Sequence, residues 1–265
     1  MSPMLLQMIG IGDWPAFVLV SARVAGLFLA APLWSTAGLP KSIRSAAAVL
    51  LSVVLIPSVI PVAPLPDDMV AMSVILASET LLGIAIGMTG AIFMHGVMVA
   101  GEVASLQMGL SLGQALGALP EGATVGIGQL KGYFASLIYL SLGGHLTLYQ
   151  ALAGSFAAVP PGKAFMGVEG GRMVAELAGT VFSSGIRAAA PVMVALLLAN
   201  LALAILGKAV PQLNVMMVSF PVTIAIGMIA LGASLPFLAA YLGGQIDALP
   251  QLLGRTISSF QPVAP

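Results

Sequence analysis

Residues 70–100 read VAMSVILASETLLGIAIGMTGAIFMHGVMVA, thirty-one residues whose ionisable groups are Glu79 and His95. A bilayer hydrocarbon core of ~30 Å is crossed by a helix of ~20 apolar residues. This stretch exceeds that length and is nearly free of charge, so it predicts a membrane helix that tilts, kinks or projects beyond the bilayer. The same yardstick, carried outward, finds apolar segments at Trp14–Trp34, Ser45–Ile60, Tyr133–Val159, Met173–Leu206 and Val215–Leu242. The expected fold is therefore all-α: an integral membrane protein with about six long, partly kinked apolar helices. Ser45–Ile60 is near the lower limit for spanning. Pro191 and Pro236 are the expected kink points, because each removes a backbone donor and crowds the preceding turn.

The whole chain follows the same pattern. Of 265 residues, 59% are hydrophobic and 7% charged, against roughly 25% charged in a soluble domain; mean hydropathy is +1.09. Nine Lys and Arg balance nine Asp and Glu, which leaves no basic surplus for nucleic acid. The absence of cysteine excludes disulfides, thiolate chemistry and Cys-ligated metal centres. His95 and His145 lie far apart in sequence, as packed or hydrogen-bonded residues do more often than metal ligands. There is no H-E-x-x-H, no G-x-S-x-G and no P-loop, since Gly207-Lys208 is followed by Ala209. No catalytic, cofactor-binding or metal-ligating residues are expected. Asp13 precedes the first apolar run and no basic n-region does, so that segment is expected to stay as a membrane helix.

The connections carry turn chemistry: Gly38, Pro40, Lys41 and Arg44 in the first, four prolines and Asp67-Asp68 in the second, Pro160-Pro161-Gly162 in a later one. None separates two domains, and residues 1–265 read as one. Lys41 and Arg44 place the first loop in the cytoplasm by the positive-inside rule. In a six-pass chain that puts Lys163 and Arg172 outside, so the charge signal contradicts a simple bundle.

The few intramembrane charges narrow function. Arg23, Glu79, Glu176 and Arg187 fall within apolar segments, and Glu102 closes the third. A central arginine costs ~2.5–3.5 kcal/mol on insertion scales and must face protein, water or a carboxylate. Such charges mark either an ion pathway or ion pairs that fix assembly, and assembly is the commoner use. Glu176 and Arg187, eleven residues apart, share a helix face but cannot touch; each is expected to need a partner elsewhere. Asn200 reads as interhelical glue.

Residues 101–132 hold eight glycines. Gly109, Gly113 and Gly117 have the small-xxx-small spacing of close helix packing. The alternative is a mobile element, since each glycine costs roughly 0.8–1 kcal/mol against alanine in a helix and Pro120-Glu121-Gly122 breaks one.

Three stretches together, RVAGLFLAAPLWSTAGLPKSIR (23–44), AGEVASLQMGLSL (100–112) and NLALAILGKAVPQLNVMMVSFP (200–221), resemble the FliR family of flagellar biosynthetic proteins, export-gate subunits of the type III secretion apparatus. The resemblance covers nearly the whole chain. It implies a FliP-like portion over about 1–172 and a FliQ-like helical hairpin with a C-terminal tail over 173–265, its turn at Lys208, Pro211, Gln212 and Asn214. It implies assembly with FliP-like and FliQ-like subunits into a closed channel at the flagellar basal body of the bacterial inner membrane, raised toward the periplasm and joined by FlhB-like and FlhA-like export proteins. Unfolded flagellar proteins would be the cargo, and no cofactor is implied. The family's plug, carried over, falls on residues 106–122: Leu106, Met108, Leu110, Leu112, Leu116 and Leu119 as an aliphatic closure, with Gly109, Gly113 and Gly117 letting it move. Glu102 and Gln107 would anchor its root, and Arg23, Glu79, Glu176 and Arg187 would hold the assembly together. Family members often carry phenylalanine in the plug; this sequence has none there. The injectisome counterpart shares fold and role. The distant alternatives are a small secondary transporter coupling protons through Glu79 or Glu176, and a scaffold without pore contact.

Overall fold

The computed structural model describes residues 14–32, 34, 40–59, 68–110, 123–210 and 215–261. Among these every regular element is helical: α1 (Trp14–Ala30), α2 (Lys41–Leu55) with a 3-10 turn at Ile56–Ser58, α3 (Met69–Gln107), α4 (Ala123–Ser141), α5 (Gly144–Ala158), α6 (Val168–Ala209), α7 (Val215–Ala233) and α8 (Leu235–Ser258). By length and composition α3 and α6, of 39 and 42 residues, can each cross a membrane. The pair α7 and α8, bent by 46° at their junction, forms a third candidate, and α1 is a shorter apolar helix.

Among the described residues eight helices stand where six apolar segments were expected, and the differences have physical causes. The segment expected over Tyr133–Val159 is broken by Gly143, whose φ of +74° lies in the left-handed region that ends helices and suits glycine. The last segment outruns its expected end at Leu242 because α8 turns amphipathic. Leu238, Leu242, Ile246, Leu249, Leu253 and Ile257 are buried at three- and four-residue steps, while Asp247, Gln251 and Arg255 are exposed; a count of consecutive apolar residues stops where a helical face continues. Pro236 lies beside the α7–α8 bend, as expected. Pro191 lies inside continuous α6. α1 ends before Pro32, which cannot extend a helix.

Glycine sets the crossings of α3. A Cβ on Gly83 would collide with the Arg23 carbonyl oxygen, and one on Gly26 with that of Thr80, so α1 and α3 meet backbone to backbone. A Cβ on Gly96 would lie 2.8 Å from Ser184 Cβ on α6, and one on Gly101 would lie 2.6 Å from Gly128 Cα on α4. These are the approaches that small residues permit between membrane helices.

The chain divides into two compact units. One comprises residues 1–91, 143–178 and 246–265, the other 92–142 and 179–245. The first holds α1, α2, α5 and parts of α3, α6 and α8. The second holds α4, α7 and the remaining parts of those three helices.

Candidate functional site

In the first unit the apolar helices close around one arginine. α1 buries Leu19, Val20, Arg23, Val24 and Leu27, a helical stripe in which Arg23 is the charged member. Arg23 and Glu79 of α3 are both fully buried, with Nη2 and Oε2 2.7 Å apart. Arg23 Nε also donates to Glu79 Oε2 at 2.7 Å, Nη1 to Ser155 Oγ at 3.0 Å and Nη2 to the Val159 carbonyl at 2.9 Å. The guanidinium carbon lies 4.4 Å from the centroid of the Phe156 ring. The second carboxylate oxygen, Glu79 Oε1, accepts the Gly162 backbone N–H at 2.8 Å.

Local sequence explains two of the partners. Val159 caps the end of α5, where helical carbonyls lack intrahelical donors. Gly162, at φ +85°, turns the chain after two prolines so that its amide meets Glu79. Removing two charges from water costs several kcal/mol per ion, which only near-complete hydrogen bonding offsets. Arg23 and Glu79 meet that condition within this chain, which settles the pairing that the sequence left open.

In the second unit the residue block after Glu102 ends α3. Met108 N donates to Ala104 O at 2.9 Å and Gly109 N to Leu106 O at 3.0 Å. Gly109 then takes φ +75°, the glycine stop of a helix C-terminus. Met108 and Leu110 are buried in a cluster with Ala104, Val192, Leu196 and Leu231. Thr223 Oγ1 of α7 donates to the freed Met108 carbonyl at 3.2 Å. A Cβ on Gly227 would run into the Met108 side chain, 2.7 Å from Cγ and 2.9 Å from Sδ, so the bare glycine is the notch that receives the thioether. Phe220 Cε2 would lie 3.7 Å from a Cβ on Gly109.

The other expected site residues are placed as follows. Leu106 and Glu102 are exposed and Gln107 is half-buried; Glu102 Cγ lies beside Gly128. Leu112, Gly113, Leu116, Gly117 and Leu119 lie outside the described residues, as do Pro211, Gln212 and Asn214. Lys208 is exposed in the last turn of α6, where a cation complements the helix dipole. Glu176 pairs with Arg172 at 3.1 Å across one turn on the surface, a partner other than Arg187. The apolar count began the segment at Met173, whereas α6 begins at Val168 and carries Arg172 into the helix. Arg187 is exposed. His95 is exposed and His145 half-buried.

Sequence reasoning missed Ser155, Phe156, Val159 and Gly162 around Arg23, and Phe220, Thr223 and Gly227 around Met108. It also passed over Lys131 of α4, which is 3% exposed. One readable signal was present: Gly83-x-x-x-Gly87 and Gly26 mark the α1–α3 crossing that sets Arg23 against Glu79.

Long apolar helices, glycine-set crossings and a buried ion pair hydrogen-bonded within its own chain define an all-helical protein with two to three candidate membrane spans among the described residues. The profile of the bacterial export proteins, family 1, matches residues 14–249, and the chain belongs to that family. It is similar to the flagellar biosynthetic protein FliR of Escherichia coli strain K12, 27% identical over 245 residues and 92% of each chain. It is similar to FliR of Bacillus subtilis strain 168, 29% identical over 221 residues, 82% of this chain and 85% of the relative. It also resembles FliR of Aquifex aeolicus strain VF5, 27% identical over 243 residues, 90% and 92% of the two chains.

Proposed function

We propose that this chain is a non-enzymatic subunit of the flagellar type III protein-export gate, forming part of a closed channel for unfolded flagellar proteins in the bacterial inner membrane. The observation that carries the reading is the end of α3. A long apolar helix stops at Gly109 and seats Met108 and Leu110 in an apolar cluster, immediately before the leucine- and glycine-rich stretch 111–122. In this reading Leu106, Met108, Leu110, Leu112, Leu116 and Leu119 supply the closure, and Gly109, Gly113 and Gly117 let it move. Glu102 and Gln107 flank its root.

FliP-like and FliQ-like subunits are the proposed neighbours, with FlhB-like and FlhA-like proteins around them. Residues 173–265 form the FliQ-like part, turning at Lys208–Asn214, and 1–172 the FliP-like part. α6 exposes Val194, Leu197, Leu198, Leu201 and Ile205, a surface suited to lipid or to helices of such neighbours. Arg187 supplies an exposed charge on the same helix for an intersubunit pair. The flagellar names of the relatives favour the flagellum over the injectisome. A proton-coupled transporter is disfavoured because both oxygens of Glu79 are engaged and Glu176 is exposed beside Arg172.

Co-purification from native membranes in mild detergent, followed by mass spectrometry, tests the reading. FliP-like and FliQ-like chains recovered in excess over this one are expected. Recovery of this chain alone, or as a homo-oligomer, overturns it.

A further inference from the structure

We propose that Thr223 and Gly227 of α7 form a releasable latch on the root of the closure, and that export requires Met108 to leave the notch. The inference rests on the export-gate reading and adds to it two positioning residues on another helix. Thr223 and Gly227 are four residues apart and so lie on one helix face. The first holds the Met108 carbonyl and the second receives the Met108 side chain. Together they fix where the chain leaves α3.

Three features suit this contact to opening as well as closing. Thr223 Oγ1 also reaches the carbonyls of Ser219 and Phe220, at 2.9 and 3.1 Å, so the hydroxyl keeps acceptors on its own helix when Met108 departs. Methionine is unbranched and adapts to several packings at low cost, so its side chain leaves a slot more readily than a branched one. Gly109, already in the left-handed region, provides a backbone pivot directly after the seated residue.

The chain has no cysteine, so an engineered pair reports cleanly. A Cβ at residue 227 lies 2.7 Å from Met108 Cγ, so the two Cβ positions are no more than about 4.2 Å apart, below the roughly 4.5 Å upper end of the range disulfides span. Met108→Cys/Gly227→Cys is expressed in place of the native chain in the intact export apparatus. Secretion of flagellar proteins is followed under oxidant and again after reductant. The expected result is efficient cross-linking, at least a tenfold fall in export when oxidised, and recovery on reduction. Absence of the cross-link, or undiminished export by cross-linked protein, overturns the latch.

Thr223→Val guards against a pair that fails to assemble. It deletes the hydroxyl and keeps the volume, and should raise uptake of a small membrane-impermeant solute several-fold with normal assembly; unchanged uptake counts against the latch. Leu112→Asn/Leu116→Asn run in the same assay separates the two readings. Leak there with silent latch variants defeats the latch alone. No leak in any variant defeats the closure reading itself.

Discussion

The Arg23 centre and the Met108 seat both bury a side chain where helices meet, and they are built on opposite plans. Around Arg23 of α1 each guanidinium nitrogen has an acceptor, both Glu79 oxygens are engaged, and the partners come from α3, α5 and the turn after α5. Around Met108 the contact is apolar, with one hydroxyl shared among three carbonyls. The first arrangement is costly to disturb because any loss strands a charge. The second loses dispersion and burial by degrees. In the proposed export gate the first region would hold still and the second would move.

The harshest way to break the contrast is to remove half of the ion pair. Glu79→Gln or Arg23→Met leaves a buried group without its partner and should cost about 3–5 kcal/mol. That is a large share of a native protein's stability of about 5–15 kcal/mol. The expected outcome is near-complete loss of the chain from membranes, read by immunoblot. The double variant Arg23→Met/Glu79→Met removes both charges, and should restore much of the level. If both singles accumulate normally, the centre does not bear the role given to it.

The crossing beneath that centre offers a smaller test. Gly83→Ala drives a methyl group into the Arg23 carbonyl, and overpacking of this kind costs typically about 1–3 kcal/mol. Gly154→Ala on α5 meets nothing within 4 Å; there the lower entropy of the unfolded chain should stabilise by about 0.4–1 kcal/mol. Thermal melts of the purified assembly should move in opposite directions for the two variants. Movement in the same direction would show that the α1–α3 approach is looser than its backbone contacts imply.

On the other side of the comparison, Met108→Leu is a volume-conserving exchange that should cost under about 1.5 kcal/mol. Assembly should survive it. A branched side chain fits the Gly227 notch less readily, so solute leak should rise while melting barely shifts. A large stability loss without leak would make Met108 a core residue like those around Arg23, and the contrast would vanish.

How far these two regions could be read from sequence differs for a physical reason. Apolar length exposed the helical membrane class, because hydrophobic runs are local. Arg23 and Glu79 stood out individually, yet their pairing, 56 residues apart, depends on a crossing that only Gly83-x-x-x-Gly87 hinted at. The Met108 block was legible as a special stretch through its glycines. Its partners Thr223 and Gly227 were hidden in an apolar run where a threonine and a glycine draw no notice. The α4–α5 break went unread because Gly143 and Gly144 sit within apolar surroundings, and a left-handed residue leaves no mark on hydropathy. α8 outran its expected end because burial there follows a face.

The smallest expected effect concerns a second Arg–Glu pair among the described residues, alike in chemistry to the Arg23 centre and different in setting. Arg172 and Glu176 lie one turn apart with side chains 72% and 61% exposed. Water already solvates both charges, so breaking the pair strands nothing, and an exposed pair of this spacing is worth about 0.3–0.5 kcal/mol. Arg172→Ala should leave the melting temperature of the assembly within about a degree or two of the parent. It should also lose its small effect altogether at high salt, where exposed charges are screened. A loss comparable to that of Glu79→Gln would mean that this end of α6 is buried against another subunit in the working assembly. The same ion pair would then owe its weight to the neighbour that dehydrates it, as Arg23 and Glu79 owe theirs to the helices of their own chain.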